Sequence, residues 1–262
     1  MSLLEVAGLT KRFGGLVANR DVSFTVAPGE VVAMVGPTGA GKSSIAKLVG
    51  RTYDPVGGSV LADGVDLRTY EIGSYRSRLG IVPQDAFCFR GTVASNIAYG
   101  RPSATREEVE EAARVVGAHA TLMSVPGGFD GVVEEEGRNL TAAQRQMMAL
   151  ARAWLAGPDL LVLDEATSTL SLELEQKVLD AIGPLRCTTM FITHRLAVAQ
   201  RADKVIVIDE GRVVEQGTHD ELINAGGAYS ALWSVGPDVE GTKTITERAG
   251  ATDEPTVPAP GA

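Results

Sequence analysis

The chain has 262 residues, 44% of them apolar and 22% charged, the balance of a globular protein with a sizeable core. That composition excludes a disordered chain, a coiled coil and a disulfide scaffold, and 30 glycines without a three-residue period exclude collagen. Thirty-three acids against 24 bases give a net charge of −9, which speaks against a nucleic-acid partner, since that needs a basic face.

No apolar run approaches the roughly 20 residues of a membrane helix. Glu5 and Lys11 interrupt the first apolar stretch, so no signal peptide is expected and the chain is expected to be soluble. Val31–Val35 is predicted as a buried strand that runs into Gly36–Ser43 and then a helix from Lys42 to about Arg51. Strands are predicted near Ser59–Ala62, Gly80–Val82, Leu160–Leu163, Thr189–Thr193 and Lys204–Asp209. Asp63-Gly64 and Glu210-Gly211 read as tight turns, the second joining Val205–Ile208 to Val213–Glu215 as a hairpin. Short apolar runs alternating with helical patterns predict an α/β protein with a largely parallel inner sheet.

Between Thr92 and Ala156 the pattern is helical, with no strand predicted. Thr105-Arg-Glu-Glu108 is a capping box opening a helix to about Val116, and Thr141-Ala-Ala-Gln144 opens another to about Leu155. A helical insertion in an α/β core is the simplest account. Cys88 and Cys187 lack metal spacing and read as reduced core residues. Residues 236–262 carry five acids, two bases and almost no large apolar side chains, so an acidic disordered tail is expected there.

Gly36-Pro-Thr-Gly-Ala-Gly41-Lys42-Ser43 fits the phosphate-loop pattern at every required position, after a strand and before a helix. Glycines let the backbone curl around phosphate oxygens, and successive N–H groups with the helix N-terminus present partial positive charge. Lys42 can reach the β- and γ-phosphates and the Ser43 hydroxyl can ligate Mg²⁺. Leu160–Leu163 then delivers Asp164 and Glu165 at the C-terminal end of a buried strand, where open α/β sheets bind ligands. Asp164 suits a Mg²⁺ ligand, and Glu165, pointing differently, suits polarisation of an attacking water.

With these motifs in place the chain resembles the nucleotide-binding domain of ATP-binding-cassette (ABC) transporters, over roughly residues 3–234. The resemblance implies a phosphate-loop NTPase core with a mixed, mainly parallel sheet, an N-terminal antiparallel β portion and a helical insertion. It places the cassette at residues 1–235, with the helical subdomain at about 87–156, and implies ATP and Mg²⁺ as cofactors. Phe13 matches the aromatic that stacks on adenine, with a core aromatic as the alternative reading of that residue alone. The implied nucleotide contacts are Phe13, Gly36, Thr38, Gly39, Ala40, Gly41, Lys42, Ser43 and Ser44. Gln84 matches the glutamine that joins core to insertion and senses Mg²⁺ and the γ-phosphate, and His194 matches the switch histidine. Catalysis is thereby assigned to Glu165, His194, Gln84 and Lys42, and the metal to Ser43, Gln84 and Asp164. Asp85–Val93 with Asn96–Gly100 is similar to exporter cassettes, and Glu135 matches the exporter glutamate that touches the partner's coupling helices. Gly8–Gly15 instead resembles importer cassettes.

Two stretches depart from the family pattern. The signature Leu-Ser-Gly-Gly-Gln, which caps the partner's ATP, reads Leu140-Thr141-Ala142-Ala143-Gln144, adding a Cβ at two positions where glycine permits close approach. The Ser-Ala-Leu-Asp loop reads Ser168-Thr-Leu-Ser171, without its aspartate. The expectation is an ATPase that powers transport as half of a heterodimeric exporter at the cytoplasmic face of the plasma membrane. Its partners would be a second cassette and a transmembrane domain outside this chain, with no nucleic acid. An importer ATPase or a nucleotide-gated ABC ATPase outside transport stands as the alternative.

Overall fold

Alternation of apolar and polar residues at the start of the chain builds an antiparallel hairpin. Leu4, Val6 and Leu9 on β1 (Leu4–Phe13) and Val22, Phe24 and Val26 on β2 (Leu16–Val26) turn into one core. The structure, a computed structural model, describes residues 3–182 and 187–235; the tail expected at 236–262 lies outside the described residues.

β3 (Val31–Val35) leads through the glycine loop into α1 (Lys42–Val49). Then follow β4 (Gly57–Ala62), β5 (Val65–Asp66), α2 (Ile72–Arg76) and β6 (Leu79–Val82). The next stretch holds β7 (Gly91–Thr92), α3 (Val93–Ala98), α4 (Arg106–Val115), α5 (His119–Met123), β8 (Val132–Val133) and α6 (Ala142–Leu155). The chain returns to the sheet in β9 (Leu160–Asp164), followed by α7 (Leu172–Ile182), β10 (Thr188–Ile192) and α8 (Leu196–Gln200). It closes with β11 (Lys204–Asp209), β12 (Arg212–Gly217), α9 (His219–Ala225) and α10 (Ala228–Val235).

One sheet is antiparallel in the order β2-β1-β4-β5, and the larger has the order β12-β11-β3-β10-β9-β6. Within the larger, β11, β3, β10, β9 and β6 are parallel and β12 is antiparallel at the edge. Its inner strands are buried on both faces, as parallel strands usually are. Leu161 and Leu163 of β9 and Phe191 of β10 face the helical insertion, while Val162, Met190 and Ile192 face the hairpin and α1. Ala33 and Val35 of β3 pack under α8, α9 and α10.

Three expectations need correction. The stretch between Thr92 and Ala156 is not wholly helical, because Gly91–Thr92 pairs with Val132–Val133 in a short antiparallel ribbon. α1 stops at Val49 rather than Arg51, where a positive φ of 48° takes the chain out of helical geometry. Cys88 is a core residue as expected, but Cys187 is only half-buried; both are free. Phe191→Ala should remove about 3–5 kcal/mol of stability, read as a lower urea midpoint with an unchanged denaturant slope.

Candidate functional site: a cleft at the ends of three parallel strands

Gly36 leaves β3 with φ +149°, and a Cβ built on it would lie 1.9 Å from the carbonyl oxygen of Ile208. Only glycine lets the loop pass β11 this closely. Gly41, at φ +100°, runs as tightly against β2, where a Cβ would meet the Ala18 oxygen at 2.4 Å. The buried side chain of Asn19 completes that contact, Nδ2 donating to the Gly41 carbonyl at 3.1 Å. α1 then starts with no side-chain cap, so its first amides remain available to an anion.

Lys42, 4% exposed, donates from Nζ to the carbonyls of Gly36 (2.7 Å) and Pro37 (2.8 Å), tying the loop across its own mouth. Burial lowers its pKa, with Glu165 and Asp164 opposing that shift. The Ser43 hydroxyl donates to Asp164 Oδ1 at 2.9 Å. Burial raises the Asp164 pKa, the Ser43 hydrogen bond opposes this, and the neighbouring Glu165 charge adds to it. A hydroxyl beside a half-desolvated carboxylate is a hard-oxygen donor set of the kind Mg²⁺ takes when substrate phosphates complete its shell. The residues present therefore fit that ion.

Glu165 sits one residue past β9 at φ +50°, an uncommon conformation for a side chain with a Cβ. Its N–H donates to the Ile192 carbonyl at 2.8 Å, and its own carbonyl accepts from Ser168 Oγ at 2.8 Å. Its Oε2 stands 3.9 Å from His194 Nδ1, which comes from the end of β10.

A cleft of about 860 Å³ collects these parts. Phe13, Thr38, Gly39, Gly41, Lys42, Ser43, Ser44, Gln84, Glu165 and His194 line it. Gly36 and Ala40 are buried behind its wall, and Asp164 reaches it through Ser43. Phe13 is half-open to solvent and packs edge-on against Tyr53 at 5.3 Å, with Lys11 Nζ about 5 Å above both rings. Leu16, Val17, Ala18, Ser168 and Arg195 also line the cleft, and sequence reasoning missed them along with Asn19 and Tyr53. The hairpin that brings residues 16–19 to the loop has no motif of its own to announce it.

The signature stretch lies apart from this cleft. Thr141 caps α6 with both capping-box bonds, Thr141 N–H to Gln144 Oε1 (2.9 Å) and Gln144 N–H to Thr141 Oγ1 (3.2 Å). Ala142 and Ala143 form its first turn. A groove of about 340 Å³ connects Ala142 to Gln84, which borders both spaces. Gln146 of α6 is buried and donates to the Pro83 carbonyl at 3.0 Å, fixing the residue before Gln84. Glu135 is exposed in a single 3-10 turn near Arg138. Ser171 caps α7, its Oγ accepting from Leu174 N–H at 3.3 Å.

A family model described as ABC transporter matches residues 19–168, more than half of the chain. The chain belongs to the ABC transporter family. A multidrug efflux ATP-binding/permease protein of Mycobacterium bovis is 49% identical over 215 residues, 81% of this chain and 18% of that protein. The ATP-binding cassette sub-family B member 6 of Xenopus tropicalis is 43% identical over 82% of this chain and 25% of its own length. Among solved structures, a bacterial Atm1-family ABC exporter with ATP bound superposes with a TM-score of 0.85 at 38% identity, covering 88% of this chain and 41% of that one. The chain thus spans about a fifth to two fifths of the relatives it matches, and its fold is the ABC cassette fold. No helix among the described residues is long and apolar enough to cross a membrane.

Gly36→Ala should drive the loop away from Ile208 and weaken binding of a fluorescent ATP analogue by roughly tenfold or more, a loss of about 1.4 kcal/mol. Unchanged affinity in a titration would show that the close pass does not shape the loop.

Proposed function

We propose that this ABC cassette binds MgATP in the 860 Å³ cleft and hydrolyses it to power export through a membrane domain. The observation that carries the reading is the convergence of the phosphate loop, Asp164, Glu165 and His194 on one cleft. The names of the relatives, multidrug efflux and exporter, favour export over the importer reading.

Phe13 would present its exposed ring to adenine, and the loop from Gly36 to Ser44 would cradle the phosphates with its amides. Lys42 is already inside the loop, so ATP would exchange for the Gly36 and Pro37 carbonyls as the partner of its ammonium. Ser43, Asp164 and Gln84 would hold Mg²⁺, which when bound neutralises phosphate charge and orients the γ-phosphate. Glu165 would accept hydrogen bonds from the attacking water, and His194 and Lys42 would stabilise the charge that develops.

The two faces of the cassette are unequal in this reading. Lys42, Ser43, Gln84, Asp164, Glu165 and His194 equip its own ATP face. Thr141, Ala142, Ala143 and Gln144 offer a second cassette an ordinary capped helix start, and Ser171 replaces the coupling aspartate. A partner with an intact signature, in a heterodimer, would complete the competent site. Residues 1–235 would form the cassette, with about 87–156 as its helical part. The exposed rings of Phe87 and Phe89 lie close to Gln84 in sequence, their carbonyls held by Arg152 and Asn96, and Tyr99 stacks on Phe89. With Glu135 they would receive the membrane domain at the cytoplasmic face.

Glu165→Gln should keep ATP affinity and lower turnover by roughly 10²–10⁴-fold, the scale of losing a general base; near-wild-type turnover would remove Glu165 from that role. The purified chain alone should hydrolyse ATP slowly and speed up when mixed with a cassette carrying Leu-Ser-Gly-Gly-Gln. Brisk hydrolysis by the isolated chain would count against the asymmetric pair.

A further inference from the structure

Arg195 follows His194 and borders the cleft, yet its guanidinium turns into the protein. Nη1 donates to Glu175 Oε2 at 3.0 Å and to the Leu170 carbonyl at 3.2 Å, and Nη2 donates to the Ser168 carbonyl at 2.8 Å. The Arg195 N–H is itself held by Thr193 Oγ1 at 2.9 Å. Glu175, in the first turn of α7, is 1% exposed, and its second oxygen, Oε1, is buried with no hydrogen-bond partner.

A buried carboxylate with a single cationic partner is a poor device for stability alone, because desolvation offsets much of the attraction. Its neighbours on the same helix face, Val178, Leu179 and Ile182, are buried and apolar, so an apolar residue at 175 would continue their stripe. What the pair does achieve is a connection between separate segments. Arg195 grips the Ser168–Leu170 loop from the His194 turn, and Ser168 grips the Glu165 carbonyl. Glu165 and His194 are thus joined along the wall of the cleft by two hydrogen bonds, Ser168 to the Glu165 carbonyl and Arg195 to the Ser168 carbonyl, and by the peptide bond between Arg195 and His194.

We infer that Arg195 and Glu175 are positioning residues: their buried ion pair clamps the Ser168–Leu170 loop to the His194 turn and so sets the spacing of Glu165 and His194. The inference rests on the hydrolysis proposed above. Arg195 does not act on ATP, since its terminal nitrogens are engaged with Glu175 and the two loop carbonyls.

The test uses the full chain mixed with a cassette carrying an intact signature, with Glu165→Gln as the inactive control. Arg195→Met and Glu175→Met each strand a buried charge and should lower Tm. The double variant removes both charges at similar volume and should recover Tm. It should still lose roughly 10- to 100-fold in kcat, the scale of misplaced reacting groups, with KM for ATP unchanged and faster hydrogen exchange at Ser168–Leu170. Turnover that recovers together with Tm would make the pair purely structural and overturn the inference. Should the double variant not fold, Arg195→Lys keeps the ion pair but cannot fork onto both loop carbonyls. It should lower kcat at near-wild-type Tm, and wild-type kcat would overturn the inference. A wild-type mixture no faster than its Glu165→Gln control would overturn the proposed hydrolysis, and this inference with it.

Discussion

The register of three parallel strands is the constraint on which the site depends. Ile192 of β10 stands level with Met34 of β3 on one side and with Asp164 of β9 on the other. Parallel pairing with this register ends the three strands at one edge of the sheet. The glycine loop, the acid pair and His194 emerge there from separate parts of the sequence. A slip of one residue in either pairing would exchange the side chains of β9 or β10 that face the helical insertion with those that face the hairpin and α1, so the same packing that fixes the core fixes the site.

Within that frame, short-range contacts refine the geometry. The backbone oxygen of Ile208 leaves no room for a Cβ at Gly36, and Asn19 and Ala18 press on Gly41 from the hairpin. The phosphate loop is therefore shaped by β11 and β2 as much as by its own glycines. Burial pushes the Lys42 and Asp164 pKa values toward their neutral forms, while each has one polar anchor ready, loop carbonyls for the lysine and Ser43 for the aspartate. Polar groups placed in advance and incompletely neutralised are suited to a charged ligand, because little reorganisation is needed when it arrives.

The insertion shows the same economy of connection. α6 supplies the capped signature turn at one end and Gln146 in its first half, which holds Pro83 beside Gln84. Arg152 in its last turn reaches back to the Phe87 carbonyl and to Asn96. One helix thus touches the signature turn, the Gln84 segment and the exposed aromatic surface. A shift of this helix relative to the sheet would move all three together.

The phosphate loop, the acid pair, the capping boxes at Thr105 and Thr141 and the turns at Asp63-Gly64 and Glu210-Gly211 were legible in the sequence. Each is a local pattern whose chemistry is complete within a few residues. Less was legible where a residue's role depends on a distant partner. Gly91–Thr92 and Val132–Val133 are two-residue strands, too short for any periodicity, and only their meeting makes a ribbon. Leu172 is 64% exposed and Glu175 is 1% exposed, the reverse of what hydropathy suggests for α7. Tertiary packing decided that inversion, because Arg195 arrives from the turn between β10 and α8 and provides the counter-charge that makes burial of Glu175 tolerable. The sequence alone determined that the chain carries a phosphate-binding loop and two acids on a strand end. Which side chains support them, and how far apart the reacting groups stand, was set by strand register and by buried contacts between segments remote in the chain.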